Sequence, residues 1–159
     1  METARPATEA DLDRLVELCR AALAEVGSDR RGGALFAARE GRAEPVEESL
    51  AGILRDEDAL LVAGTIDDVV VGYAVAQLEL LRDGAPLGRI DDLYVEPGAR
   101  SVGVGEAMMK LLLDWCREHR CRGVDALALP GMRATKNFFE ESGFSARLIV
   151  MHHRMADAS

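Results

Sequence analysis

The sequence predicts an α/β chain in which a run of antiparallel strands is followed by a strand-to-helix crossover. Three observations carry this. Apolar residues recur at helical spacing from Leu12 to Val26, three strand-like runs joined by short polar turns follow between Ala59 and Val95, and the third run leads through Arg100-Ser101-Val102-Gly103-Val104-Gly105 into a second amphipathic helix.

Thr8 followed by Asp11 has the form of a capping box, and Leu12, Leu15, Val16, Cys19, Ala22, Leu23 and Val26 make one apolar stripe ending at Gly27. From about residue 27 to 43 the period disappears among four glycines and Arg30, Arg31, Arg39 and Arg42, which predicts a mobile loop. Pro45 suits a first helical turn, and Val46, Leu50, Ile53 and Leu54 form the stripe of a shorter helix. Ala59 to Ile66 and Val69 to Leu80 flank Asp67-Asp68, which predicts a tight antiparallel hairpin. Asp83-Gly84 turns the chain into Leu87 to Val95, closed by Glu96-Pro97-Gly98. The helix that starts near Gly103 carries Val104, Ala107, Met108, Leu111, Leu112, Trp115 and Cys116 on one side. Val124 to Leu129 is expected as a short buried strand, Met132 to Ser142 as a helix capped by Gly143, and Phe144 to Met155 as a final strand.

At 159 residues the chain fits a single domain, residues 1–159, with enough apolar content to form a core unaided. No run approaches the roughly 20 apolar residues of a membrane span, and Met1 to Pro6 has no apolar stretch of a secretory signal, so a cytoplasmic location is expected. Cys19, Cys116 and Cys121 lack metal-site or redox-pair spacing and read as free thiols. A net charge of -9 argues against nucleic acid and against anionic membranes as partners. His152-His153 has no third ligand at suggestive spacing, and no metal is expected.

The glycines at 103 and 105 suit phosphate binding at a helix start, where backbone N–H groups lack partners and an anion can approach them closely; a tight strand-to-helix turn is the simpler alternative. The run Asp91 to Gly105, with Lys136-Asn137-Phe138-Phe139-Glu140-Glu141-Ser142-Gly143-Phe144 later, resembles the GCN5-related N-acetyltransferase (GNAT) family, whose pyrophosphate signature reads Arg/Gln-x-x-Gly-x-Gly/Ala. The resemblance spans nearly the whole chain, strongest over Ile90 to Met108. It implies a strand ahead of the first helix, a mixed sheet split around acetyl-CoA, and helices on both faces. It implies an acetyl-CoA-dependent N-acetyltransferase acting directly on an amine of a small molecule, amino acid or peptide. A CoA-binding regulatory or sensor module with little catalysis is the alternative.

By that resemblance Leu93, Tyr94 and Val95 would line the cofactor, with Val95 pairing with the pantetheine arm and the Leu93 N–H facing the thioester carbonyl. Val102, Gly103, Val104, Gly105 and Glu106 would present N–H groups to the pyrophosphate, and Arg100 would add charge. Ser101 stands where the family usually has glycine. Asp91 and Asp92 are the candidate bases for an attacking amine, and strand alternation predicts that they face opposite sides. Each also has a bland reading: Asp92 as acceptor from a nearby loop, Asp91 as solvated. Glu79 and Glu96 are secondary candidates. In the last helix Phe139 occupies the position often held by a tyrosine acid and Met132 that of a cofactor-binding asparagine; by the resemblance Phe139 would pack in the core and against pantetheine, Lys136 would reach a CoA phosphate, with a solvated helix lysine as the simpler alternative, and water or the Tyr94 hydroxyl would serve in place of the missing acid. The basic loop would suit an acceptor that also carries a carboxylate. The dozen residues after the last helix leave little for the two closing strands common in the family, so a homodimer that exchanges a strand is a possible assembly.

Overall fold

The computed structural model describes residues 1–155. Five strands form one sheet in the order β1-β2-β3-β4-β5. They are β1 (Glu2–Pro6), β2 (Ala59–Ile66), β3 (Val69–Leu80), β4 (Pro86–Val95) and β5 (Val124–Ala126). The first four pair antiparallel, while β5 runs parallel to β4. The helices are α1 (Leu12–Gly27), α2 (Gly33–Arg39), α3 (Val46–Arg55), α4 (Val104–Glu118) and α5 (Arg133–Glu141).

Period-two alternation along the strands divides the core into two layers. Leu61, Ala63, Tyr73, Val75 and Tyr94 point to the face covered by α1 and α3, where they meet Leu15, Leu18, Cys19, Val46 and Leu50. Val62, Ala74, Ala76 and Ile90 point the other way, onto Val104, Met108, Met109 and Leu112 of α4 and Phe139 of α5. The turn residues Asp67 and Asp68 both have positive φ, 48° and 67°, the geometry that keeps a two-residue hairpin in step with strand twist. The start of α1 is fixed by Asp11, whose carboxylate accepts the Thr8 N–H at 2.8 Å and two Arg5 donors at 2.7 and 3.0 Å. That pairing, offset in part by burial, holds the Asp11 pKa down at about 2.

Three expectations are corrected. The stretch from 27 to 43 is not all loop: Ala34, Leu35, Phe36, Ala37 and Ala38, all tolerated in helices, form α2 inside it. The strand expected to reach Leu129 ends at Ala126, because its ladder on β4 ends at the pair Ile90↔Ala126; its residues are half-buried and Leu127 is exposed. No strand forms between Phe144 and Met155. There Arg147 pairs with Asp125 of β5, but the three-residue β5 offers little edge for a further ladder, and Leu148, Ile149, Val150 and Met151 lie in solvent. His152 and His153 are likewise exposed, neither pointing into a core.

Candidate active site at the β4 edge

The ladder between β3 and β4 slips by one residue. Val75 pairs with Asp92 and Ala76 with Ile90, so Asp91 is an extra residue, a β-bulge in β4. The bulge shifts the alternation. Ile90 faces α4, whereas Asp92, two residues on, faces α1 and α3 with Tyr94. Asp91 joins it on that face: its carboxylate accepts from Gln77 at 2.6 Å and from Arg89 at 3.2 and 3.3 Å, and Gln77 lies two residues from inward-facing Val75. The expectation that the two aspartates point to opposite faces is therefore corrected, and the added residue is the reason.

Beyond Ile90, β4 has no partner on its outer edge among the described residues. Asp92 shows this directly, for the residue as a whole is half-exposed while its side chain is only 8% exposed; what meets solvent is backbone. Hydrogen-bonding direction alternates along an antiparallel strand. Because the Glu96 N–H donates to the Val71 carbonyl at 2.9 Å, Tyr94 and Asp92 also bond toward β3, and the N–H groups of Leu93 and Val95 turn to the open edge. The Val95 carbonyl lies on that edge too, accepting Arg100 Nε at 2.7 Å.

The edge leads into the start of α4. Gly103 has φ +103°, a conformation side chains rarely adopt, and caps the helix, with its carbonyl accepting the Ala107 N–H at 3.0 Å. At Gly105 a Cβ would stand 3.1 Å from Cε1 of Phe138, so the absent side chain lets α5 close over the first turn. Val102 and Glu106 are exposed and Val104 is buried. The first turn thus offers unpaired N–H groups beside an open strand edge, a cradle that fits an elongated ligand ending in phosphate. Ser101 adopts φ +64°, the left-handed conformation a glycine would take freely.

The remaining candidates are distributed differently from expectation. Arg100 is bidentate on Glu25 of α1 at 2.8 and 3.0 Å and its guanidinium lies 5.3 Å from the Tyr94 ring centre, so it ties α1 to the motif loop. The Tyr94 hydroxyl is held above its ordinary pKa by burial and by Glu25, and stays protonated near neutrality. Asp92 sits in a buried polar cluster: Arg42 donates to both its oxygens, Tyr73 donates to Oδ2 at 2.7 Å, and Arg42 also reaches Ser49 at 3.3 Å. Arg42 and Asp92 side chains are 10% and 8% exposed. Burial and the Asp92 charge push the Tyr73 pKa far up, and burial raises that of neighbouring Cys19. Glu79 pairs with Arg89 and Glu96 with Arg14. Lys136 pairs with Glu140 at 3.1 Å, Phe139 is buried against Phe144, and half-buried Met132 precedes α5 with its carbonyl accepting the Lys136 N–H. Of the basic loop, Arg39 pairs with Glu40 and Arg42 with Asp92, while the Arg30 and Arg31 guanidinium groups make no ion pair among the described residues.

Tyr73, Ser49, Glu25 and Arg133 were not singled out in the sequence. A tyrosine inside the apolar run Val69 to Val75 was a signal, since a buried hydroxyl needs a partner; the other three had none in their neighbourhoods. Among the described residues no cluster of three His, Cys, Asp or Glu is placed to hold a metal, and no helix is long and apolar enough to cross a membrane.

The structure of an aminoglycoside N-acetyltransferase in complex with CoA superposes with a TM-score of 0.74 at 17% identity, covering 98% of this chain and 95% of that one. At that identity the likeness concerns the fold alone. Residues 20–144 match the acetyltransferase (GNAT) family, and the chain belongs to that family. It is 33% identical over 79 residues to glucosamine 6-phosphate N-acetyltransferase of Trypanosoma brucei brucei, spanning 48% of this chain and 52% of the relative. It is 29% identical over 83 residues to aminoglycoside N(6')-acetyltransferase type 1 of Stenotrophomonas maltophilia, spanning 50% and 54%. The chain spans about half the length of these curated relatives.

Proposed function

We propose that the protein transfers an acetyl group from acetyl-CoA directly to an amine of a polar small molecule, amino acid or peptide. The observation that carries this reading is the open β4 edge running into the Gly103 cap, with two carboxylates brought to one face by the bulge. Acetyl-CoA supplies an acetyl thioester when bound. The N–H groups of Leu93 and Val95 would hold its arm along the strand, and those of Val102 through Glu106 its pyrophosphate. The Leu93 N–H, on the open edge, would stabilise charge growing on the carbonyl oxygen. Arg100, committed to Glu25, acts by fixing the loop more than as a free cation for phosphate.

Asp91 is the better base of the pair. An amine nucleophile must shed a proton, and the Asp91 carboxylate is held only by Gln77 and by a half-exposed Arg89, whereas Asp92 is buried and neutralised by Arg42. Asp92 holds the loop before α3 onto the sheet. Two N-acetyltransferase relatives named for an amino sugar phosphate and for aminoglycosides support a polar amine acceptor. The second reading, a CoA-binding module with little catalysis, draws on buried Phe139, which has no proton to give a departing thiolate. Thiol release from acetyl-CoA across an amine panel separates the two. Turnover that falls about 10²- to 10⁴-fold in Asp91→Asn supports transfer with Asp91 as base; cofactor binding with no turnover on any amine supports the module.

A further inference from the structure

Of the arginines without a carboxylate within 4.0 Å among the described residues, three meet at one place: Arg30, Arg31 and Arg133 line an open cavity of about 360 Å³ with Asp29 and Gly131. In a chain with 28 acidic and 19 basic residues, such convergence does not follow from composition. The cavity is built from two distant segments. The loop after α1 is shaped by Asp29, whose side chain accepts the Arg31 N–H at 2.8 Å and whose carbonyl accepts the Gly33 N–H at 3.1 Å. The loop after β5 touches it at Gly131, where a Cβ would stand 3.3 Å from Arg31 Cδ and 3.4 Å from the Asp29 carboxylate.

Its position is set by the same connections. Glu25, in the last turns of α1, grips Arg100 just after β4, and Gly131 and Arg133 follow β5, so the cavity lies between the loop that leaves α1 and the loop that follows the carboxyl end of β5. Ligands of α/β sheets bind outside strand carboxyl ends. Three guanidinium charges less the one Asp29 carboxylate leave two positive charges in the lining. A phosphate monoester carries about −1.5 to −2 near neutrality and presents three acceptor oxygens, which matches that charge and the forked donors of arginine; a carboxylate, with one charge, does not.

We infer that Arg30, Arg31 and Arg133 form a phosphomonoester site between the loops after α1 and β5, recognising the phosphate of one of the two substrates. The inference rests on the acetyl-transfer reading only for the source of that phosphate: the nucleotide end of CoA or a phosphorylated amine acceptor. The test is calorimetry on the full chain and on Arg31→Gln/Arg133→Gln, with inorganic phosphate as the first probe. The native protein is expected to bind it, and the variant, with an unchanged melting temperature, to bind at least about tenfold more weakly. Two ligand pairs then identify the source: CoA against dephospho-CoA, and glucosamine 6-phosphate against glucosamine. Loss of affinity confined to CoA assigns the donor, and loss confined to glucosamine 6-phosphate assigns the acceptor. Equal phosphate affinity in both proteins, or no phosphate binding by the native protein, overturns the site. Acetyl transfer to the amine panel, measured on the native protein in parallel, fails only if the broader reading fails.

Discussion

Asp92 is the residue for which fold and chemistry make opposing claims, and Asp92→Asn decides between them. The substitution keeps shape and an oxygen for the Tyr73 hydroxyl but removes the charge facing Arg42, and its amide N–H₂ group would oppose a guanidinium that is already a donor. Arg42, only 10% exposed, would be left as an uncompensated buried cation. Breaking a buried pair in this way costs about 3–5 kcal/mol, a large part of the roughly 5–15 kcal/mol that holds a domain together. For a chain of this size that is a fall of about 10 °C in melting temperature. A double-mutant cycle with Arg42→Met sharpens the test, since Arg42→Met/Asp92→Asn removes both charges, keeps an acceptor for Tyr73 and should recover much of the loss. Urea denaturation gives the stabilities and steady-state kinetics on the most stable variants give kcat. If Asp92→Asn costs less than about 1 kcal/mol while kcat collapses, Asp92 is a base and the pairing with Arg42 does not hold the loop.

Two further predictions concern stability. Ser101→Gly relieves a left-handed residue and should stabilise the fold by about 0.5–1 kcal/mol after the added flexibility of the unfolded chain is subtracted; an unchanged or lower urea midpoint contradicts the loop conformation. Asp11, with a pKa near 2 in the fold against 3.8 in the free residue, binds its proton less readily when folded. Its contribution is therefore complete above about pH 4 and vanishes as pH falls toward about 2, a loss of about 2 kcal/mol; Asp11→Asn should remove that part of the acid limb, and identical acid limbs in the two proteins would refute it.

What could be read from sequence was whatever depends on neighbours along the chain. The Thr8–Asp11 cap, the Asp67-Asp68 hairpin, the Gly143 terminus and the two stripes of α1 and α4 are local patterns with local causes. The glycines at 103 and 105 were legible as a helix start for the same reason, and Gly103 does cap α4. The bulge at Asp91 was not, because a bulge is a difference in count between two strands and β4 alone carries no trace of it. Nor was the grouping of Arg30 and Arg31 with Arg133, a hundred residues away, or the occupation of Arg42 by Asp92. The final segment failed in the opposite sense: Leu148 to Met151 has the composition of a strand, but a strand also needs a neighbour with free edge, and β5 is too short to be one.

The bulge also has a consequence for how this gene tolerates insertion and deletion. On either side of Asp91, β4 is two half-strands of opposite phase, the first sending Ile90 toward α4 and the second sending Asp92 and Tyr94 toward α1. Loss of one codon at Asp91 would leave Ile90 and Asp92 as consecutive residues opposite Ala76 and Val75, with Ile90 still facing α4 and Asp92 and Tyr94 still facing α1. A one-residue deletion at the bulge thus costs the second carboxylate and the local bend but no layer, whereas loss of a residue elsewhere in β4 would invert the part of the strand beyond it.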